Sequence, residues 1–312
     1  MAALAVLLCA GGASAQTPAN IAVVSGNGQL ICQNCVDVNA FFFNPMVVRV
    51  TDANGQPVGL TSVQWNITSG ANYGSFAAGV TTTITDGNGY TSNSFIPNSA
   101  APATPFNVVL PVTITASAGN AAATFNLVEG QQIDKLFTNG FFQNPFIFRV
   151  LGDSAPISAG SQFTGQVGTT SNTPIRVQLV TNVSGAPIPN IAVRLVNTLP
   201  GTSTIQCAAD AGAGVDTVLT DANGIATCRP IFGGVPNVQG NAYLSIGGGY
   251  PQEHFTVDPT IPPTSFYQFP FPGVGALLVN STPAAAGAQQ LISGSGQSAQ
   301  AGQAFGAALT VH

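Results

Sequence analysis

The chain has 312 residues, of which 45% are hydrophobic and only 5% are charged, and its formal net charge is −5. A chain of this length can form two or three domains of ordinary size. Its six Lys and Arg residues are scattered, which excludes nucleic acid as a partner, because phosphates are neutralised by clustered basic side chains. The 36 Gly and 22 Pro residues argue against long helices, since each internal Pro costs a helix about 3 kcal/mol.

Residues 1–15 are typical of a secretory signal peptide. Ala2 to Ala10 is apolar, and Ala13-Ser14-Ala15 places small residues where a signal peptidase cuts. We therefore expect an exported protein whose mature chain starts at Gln16. No stretch approaches the roughly 18 apolar residues of a membrane-spanning helix, so the sequence predicts no transmembrane segment.

Four cysteines follow the signal peptide, which suits an oxidising compartment. Cys207 and Cys228 flank a hairpin-like segment, so we predict a disulfide between them. Cys32 and Cys35 form a Cys-x-x-Cys pair, for which a small local disulfide loop, a redox motif and a structural zinc site are the alternatives. The strand-like surroundings and the distance of both histidines along the chain favour the local disulfide.

The most informative feature is an internal repeat. Three pairs of segments resemble each other: residues 47–67 and 175–195, residues 84–90 and 219–225, and residues 25–29 and 293–297. Apolar and polar residues alternate with a period of two within them, as in Ile175–Val180, and this period is typical of strands. Short strands separated by turns at this spacing predict β-sandwich domains.

The last pair begins a third copy, which reaches only its second strand at His312. A sandwich cut at that point would leave an open sheet edge and an unfilled core. We therefore expect the natural protein to continue beyond His312.

Asp52, Asp86 and Asp221 stand in three Asp-x-Asn-Gly segments. Asp and Asn bond to nearby backbone, and Gly supplies positive φ, so these segments predict turns. The alternative is calcium bound at a domain junction, because calcium prefers Asp, Asn and backbone oxygens. The further acids of an EF-hand loop are missing, so we predict no metal and keep these three residues as the calcium candidates.

Two segments between the repeats, residues 131–157 and 259–290, are rich in aromatic residues. The first contains Phe141 and Phe142, and the second contains Tyr267 and Phe269. Flexible linkers avoid such residues, so we interpret the segments as connectors with extra strands or clamps that pack between neighbouring domains. The alternative is an exposed aromatic platform that binds a sugar or a partner chain.

The sequence lacks the constellation of residues that an enzyme needs. A catalytic triad would depend on His254, and no nucleophile elbow accompanies it. We therefore predict a protein that is not an enzyme and needs no cofactor.

The turn segments resemble a known family. Thr51 to Val58 and Thr220 to Thr227 are similar to the repeated motif of the bacterial Ig-like domain group 1 (Big-1) of intimin and invasin. The resemblance implies tandem immunoglobulin-like sandwiches, and in that family such domains are mostly stalk modules of bacterial surface adhesins.

These observations predict an all-β protein of tandem immunoglobulin-like β-sandwich domains. The expected organisation is a signal peptide (1–15), a first domain (16–130), a connector (131–157), a second domain (158–258), a connector (259–290) and the start of a truncated third domain (291–312). The predicted function is a secreted or cell-surface structural or adhesion protein of bacteria, whose repeats act as a stalk and whose surface or matrix ligand is unknown. The alternatives are a carbohydrate- or matrix-binding module and an accessory region of a larger secreted enzyme.

Overall fold

The computed structural model describes residues 16–31, 42–98, 108–131, 146–151, 162–181, 184–197, 199–247, 277–284, 291–293 and 310–311. These residues form 22 β-strands and two single-turn 3-10 helices, Ala71–Tyr73 and Ala77–Gly79. The fold is all-β, as the alternating pattern of the sequence predicts.

The first ten strands form a β-sandwich: β1 (Asn20–Ser25), β2 (Gln29–Ile31), β3 (Met46–Thr51), β4 (Ser62–Ser69), β5 (Gly74–Phe76), β6 (Thr82–Ile84), β7 (Tyr90–Asn93), β8 (Phe95–Pro97), β9 (Val108–Ala118) and β10 (Ala121–Gln131). One sheet has the order β1-β3-β7, the other has the order β2-β10-β9-β4-β6, and β5 pairs with β8. Strand β2 runs parallel to β10, whereas the other pairs are antiparallel.

The next ten strands repeat this topology: β11 (Phe146–Val150), β12 (Gln162–Gln166), β13 (Ile175–Thr181), β14 (Ala192–Asn197), β15 (Ser203–Cys207), β16 (Thr217–Leu219), β17 (Ile225–Cys228), β18 (Pro230–Gly234), β19 (Gly240–Ile246) and β20 (Leu277–Thr282). The sheets have the orders β11-β13-β17 and β12-β20-β19-β14-β16, and β15 pairs with β18. Each strand thus occupies the place of the strand ten positions earlier. Both units are immunoglobulin-like sandwiches.

Strands β21 (Leu291–Ser293) and β22 (Thr310–Val311) pair antiparallel with a register shift between Leu291 and Ser293. The pair β1–β3 has the same shift between Val23 and Ser25. The two described pieces of the expected third copy are therefore related as β1 and β3 are, whereas the third domain as a whole stays a prediction.

The cores follow from the alternation of side chains along the strands. In β3, Met46, Val48 and Val50 are fully buried. Trp65 of β4 is buried against Phe125 of β10, with 5.8 Å between ring centroids, and its Nε1 donates a hydrogen bond to Thr83 Oγ1 at 2.8 Å. The apolar residues of the repeat are therefore core residues, as the period of two predicts.

The predicted limits of the second domain, 158–258, are too narrow for its sheets. Strand β11 lies in the first expected connector and pairs with β13, while β20 lies in the second and pairs with β19 and β12. The first sandwich joins β9 to β10 through a tight turn at Gly119, whereas the second joins β19 to β20 through residues 247–276. This insertion interrupts the repeat, which is why the predicted domain ends at residue 258, before β20.

Candidate functional site: the junction between the sandwiches

The segment from Gly26 to Ile31, which leads from β1 into β2, is buried along its whole length. Gln29 fixes its course, because its Nε2 donates to the carbonyl oxygens of Gly26 (2.7 Å) and Asn44 (3.0 Å). The Oε1 of the same side chain accepts from the Asn44 N–H at 2.7 Å. All of these polar groups are therefore satisfied although the side chain is inaccessible.

Three hydrogen bonds join this segment to the second sandwich. The Ala192 N–H donates to the Gly28 carbonyl at 2.9 Å, and the Leu30 N–H donates to the Gly247 carbonyl at 3.1 Å. Asn27 Nδ2 donates to the Gly212 carbonyl at 2.9 Å, while its Oδ1 accepts from the Asn126 N–H of β10 at 2.8 Å. Asn27 thus bridges the two sandwiches with one amide group.

Gly28 lies directly against Ala192 of the second sandwich. A Cβ at this position would lie 2.5 Å from the backbone N of Ala192 and 2.7 Å from its Cβ, and the φ of Gly28 is +71°. Both values exclude a side chain, since real Cβ contacts are longer and positive φ favours glycine. The Ser25–Gln29 repeat is visible in the sequence, but the sequence does not show that Gly28 contacts the other unit.

Two cavities flank the junction. One, of about 420 Å³, is lined by residues of β1 and β10 together with Gly212 and Leu219. The other, of about 310 Å³, lies between β9, β10 and residues 186–190. Asn126, whose N–H donates to Asn27, lines both cavities. The hydrogen bonds between the sandwiches therefore have a cavity on either side.

The groups that form these hydrogen bonds are the amides of the backbone and of Asn27. None of them ionises between acid and alkaline pH. These three hydrogen bonds therefore contain no group that titrates.

Asp216 precedes β16 in the second sandwich, with φ +54°. Burial raises the pKa of its carboxyl above the ordinary value of 3.8, and the nearby Arg194 guanidinium lowers it in part. The net effect of this site is to disfavour the charged carboxylate.

The three calcium candidates close turns. Asp52 Oδ1 accepts the N–H groups of residues 54 and 56, each at 2.9 Å. Asp86 Oδ1 accepts those of residues 88 and 90, and Asp221 Oδ1 accepts those of residues 223 and 225, at 2.8–2.9 Å. Turn formation therefore accounts for the carboxylates, and among the described residues no three His, Cys, Asp or Glu side chains form a group that could hold a metal.

The threonine before two of these aspartates has a role that the sequence pattern did not reveal. Thr85 Oγ1 donates to the Val58 carbonyl at 2.7 Å and accepts from the Thr61 N–H at 2.9 Å. Thr220 Oγ1 does the same with Ile188 and Ile191, both at 2.8 Å. Each hydroxyl is buried and fastens the loop that leads into β4 or β14, which explains why Thr belongs to the motif.

The predicted disulfide between Cys207 and Cys228 is confirmed, with its Cα atoms 5.0 Å apart. It joins β15 to β17, and both residues are buried. By strand register the corresponding residues of the first sandwich are Phe76 and Asn93. Phe76 is buried there, and Asn93 Nδ2 donates to the Val80 carbonyl at 2.8 Å.

Several predicted site residues lie outside the described part of the chain: Cys32, Cys35, Phe141, Phe142, Tyr267 and Phe269. The local disulfide and both interpretations of the aromatic segments stay predictions. Within the described residues, no helix is long and apolar enough to cross a membrane.

No protein-family model and no curated protein matches the chain. Among solved structures, it is similar to the D0-D1 domain of intimin, with 13% identity over 73% of this chain and 90% of that one, and a TM-score of 0.25. It is similar to invasin at 13% identity over 85% of this chain (TM-score 0.24) and to the surface-layer protein SbsC, domains 4–9, at 12% over 86% (TM-score 0.25). The chain spans 39% of the invasin structure and 32% of the SbsC structure. At these values the assignment of the fold rests on the strand topology described above.

Proposed function

We propose that this chain is a non-enzymatic structural or adhesion protein, secreted or held at the bacterial surface, whose immunoglobulin-like repeats act as a spacer of the Big-1 type. The observation that carries the proposal is the junction. Three hydrogen bonds and the Gly28–Ala192 contact hold successive sandwiches in one mutual orientation. A spacer needs this property, because repeats that rotate freely set no fixed distance between their ends.

The composition supports the same function. Only 5% of the residues are charged, and the three hydrogen bonds of the junction are made by amide groups that do not titrate. The confirmed disulfide suits an oxidising environment.

The test is to loosen the junction without disturbing either core. Gly28→Ala places a Cβ against Ala192, whereas Gly55→Ala introduces a similar backbone strain at φ +77° with no atom within 4 Å. Small-angle X-ray scattering of the full chain should show a broader distance distribution for Gly28→Ala and an unchanged distribution for Gly55→Ala. Identical profiles for wild type and Gly28→Ala would show that the junction does not set the orientation, and the spacer proposal would fail.

A further inference from the structure

Strand β10 is only partly covered on the side away from β9. Strand β2 pairs with residues 127–129 there, whereas β10 begins at Ala121. In the second sandwich, β12 pairs with residues 278–282 of β20, which is the whole strand except Leu277. Among the described strands, none lies beside residues 121–126 of β10 on this side, although the corresponding edge of the second sandwich is closed.

The hydrogen bonds of Asn126 show which way the backbone of β10 faces at this edge. Its carbonyl accepts from the Gly28 N–H at 2.8 Å, and its N–H donates to Asn27 Oδ1 at 2.8 Å. The direction of the backbone groups repeats every second residue along a strand, so the N–H and C=O of Thr124 and Ala122 face the same edge. Within the described part of the chain, no hydrogen bond satisfies these four groups.

Strand β1 faces this edge from the other sheet. Val50 of β3 lies opposite Ile21, and its N–H and C=O bond to residues 89 and 58 rather than to β1. Bonded and non-bonded pairs alternate along antiparallel strands, so the backbone groups of Ile21 and Val23 also point away from β3. The cavity of about 420 Å³ beside the junction is lined by both β1 and β10, and we call the space between these two strands the edge slot.

The side chains around the edge slot suit an uncharged strand. From β1 and β10 the lining residues are Ile21, Ala22, Val23, Ala122, Ala123, Thr124 and Asn126. No charged side chain is among the described residues that line the cavity, so a charged segment would lose its hydration here without gaining a partner. The volume lies within the range of about 300–1,000 Å³ that is usual for binding sites.

We propose that the edge slot binds an extended peptide segment of a partner protein, in which uncharged polar residues alternate with apolar or small ones. The segment continues the line of β2 and forms backbone hydrogen bonds with β10 on one side and β1 on the other. Strands β2 and β12 show the same mode of pairing within the chain. The proposal goes beyond the spacer function, because it assigns a recognition surface to the first sandwich.

The probe is a synthetic peptide that copies residues 162–168. This segment contains β12, which is uncharged and covers the corresponding edge of the second sandwich. Fluorescence anisotropy of the labelled peptide with the full chain should show saturable binding of one peptide per chain. Hydrogen exchange followed by NMR should show that the amides of Ala122 and Thr124 exchange about tenfold more slowly, or slower still, when the peptide is bound.

Thr124→Pro removes an N–H that the fold does not use, and Pro is tolerated at sheet edges, so the variant should weaken binding at least about tenfold. Thr124→Val is the matched control, because it changes the side chain and keeps the N–H, and it should bind as wild type does. Ala122→Lys keeps both backbone groups but places a charge at the edge, and it should also weaken binding several-fold. The fluorescence of Trp65 during urea unfolding shows whether each variant is folded.

Three results would each overturn the proposal: no saturable binding by wild type, equal binding by wild type and by the folded Thr124→Pro and Ala122→Lys variants, or protection of amides outside β1 and β10. The scattering of Gly28→Ala is measured without peptide, so the spacer proposal is judged separately.

Discussion

At the scale of single residues, the repeat is held by polar groups that close loops. The hydroxyls of Thr85 and Thr220 each satisfy one carbonyl and one N–H of a buried loop, and the aspartate that follows closes the next turn. A buried polar group left without its partner costs about 1–3 kcal/mol. In the Thr-Asp-x-Asn-Gly motif, the threonine therefore supplies the hydrogen-bond partners of one loop and the aspartate supplies those of the following turn.

Thr85→Val should destabilise the first sandwich by about 1–3 kcal/mol, since valine keeps the shape but leaves the Val58 carbonyl and the Thr61 N–H without their partner. Trp65 is the single tryptophan of the chain and lies in the first core, so its fluorescence during urea unfolding reports that sandwich. Thr220→Val is the matched control, and it should leave the fluorescence midpoint unchanged. Equal midpoints for Thr85→Val and wild type would contradict the role of the hydroxyl.

Leu60→Asn should stabilise the first sandwich by up to about 1 kcal/mol, because Asn adopts positive φ at lower cost and the exposed leucine loses no core contact. The midpoint of the fluorescence transition should rise. The reverse change, Asn190→Leu, should lower the stability of the second sandwich in the far-UV circular dichroism transition. If Leu60→Asn lowered the midpoint, the leucine would have a stabilising contact within the fold.

Asp216→Asn should stabilise the second sandwich at neutral pH and have no effect at acid pH. The folded-state pKa of Asp216 is raised above 3.8, so the folded state binds its proton more tightly than the unfolded state does. Its contribution to stability is fully present below pH 3.8 and is lost as the pH rises through the folded-state pKa. Urea unfolding at pH 3 and pH 7 tests this, and a stabilisation of equal size at both would assign the effect to the backbone.

At the scale of elements, the two sandwiches use different means to fasten the same strands. The second joins β15 to β17 through the Cys207–Cys228 disulfide. In the first sandwich, Phe76 takes the position of Cys207 and is buried. Asn93 takes the position of Cys228 and donates a hydrogen bond to the Val80 carbonyl. The topology is thus independent of the chemistry that closes it.

Cys207→Ala with Cys228→Ala should destabilise the second sandwich by roughly 3 kcal/mol, because the bridge closes a loop of 21 residues and limits the unfolded chain. During urea unfolding, far-UV circular dichroism should show the transition of the second sandwich at a lower urea concentration, while the midpoint of Trp65 fluorescence should stay unchanged. A shift of both signals together would show that the sandwiches unfold as one unit.

The sequence predicted the features whose causes are local. The Asp-x-Asn-Gly turns and the alternation in β13 depend on neighbouring residues, and Cys207 and Cys228 lie in one hairpin-like segment. The pairings of β11 with β13 and of β20 with β19 were not predicted. Strand β11 lies in a segment that was interpreted as a connector, and the insertion after Gly247 separates β20 from β19 in the sequence. The function of Gly28 was hidden for a similar reason, since its contact residue, Ala192, belongs to the other sandwich.

At the scale of the whole molecule, successive sandwiches are connected by short backbone contacts with cavities beside them. Hydrogen bonds between fixed backbone groups set orientation more strictly than apolar contacts do, because they depend on angle as well as distance. The junction therefore constrains geometry through a few directional contacts.

The parallel pairing at the edge of each sandwich determines how the chain carries tension. Strand β2, near the start of the first sandwich, lies beside β10 at its end, and β12 lies beside β20 in the second. Pulling along the chain slides such strands past each other, so their hydrogen bonds share the load and must break together. The ladder has three residue pairs in the first sandwich and five in the second, and forced unfolding is governed by the unfolding rate. Under a rising force the first sandwich is therefore expected to yield before the second, whose disulfide also withholds the 21-residue loop from extension.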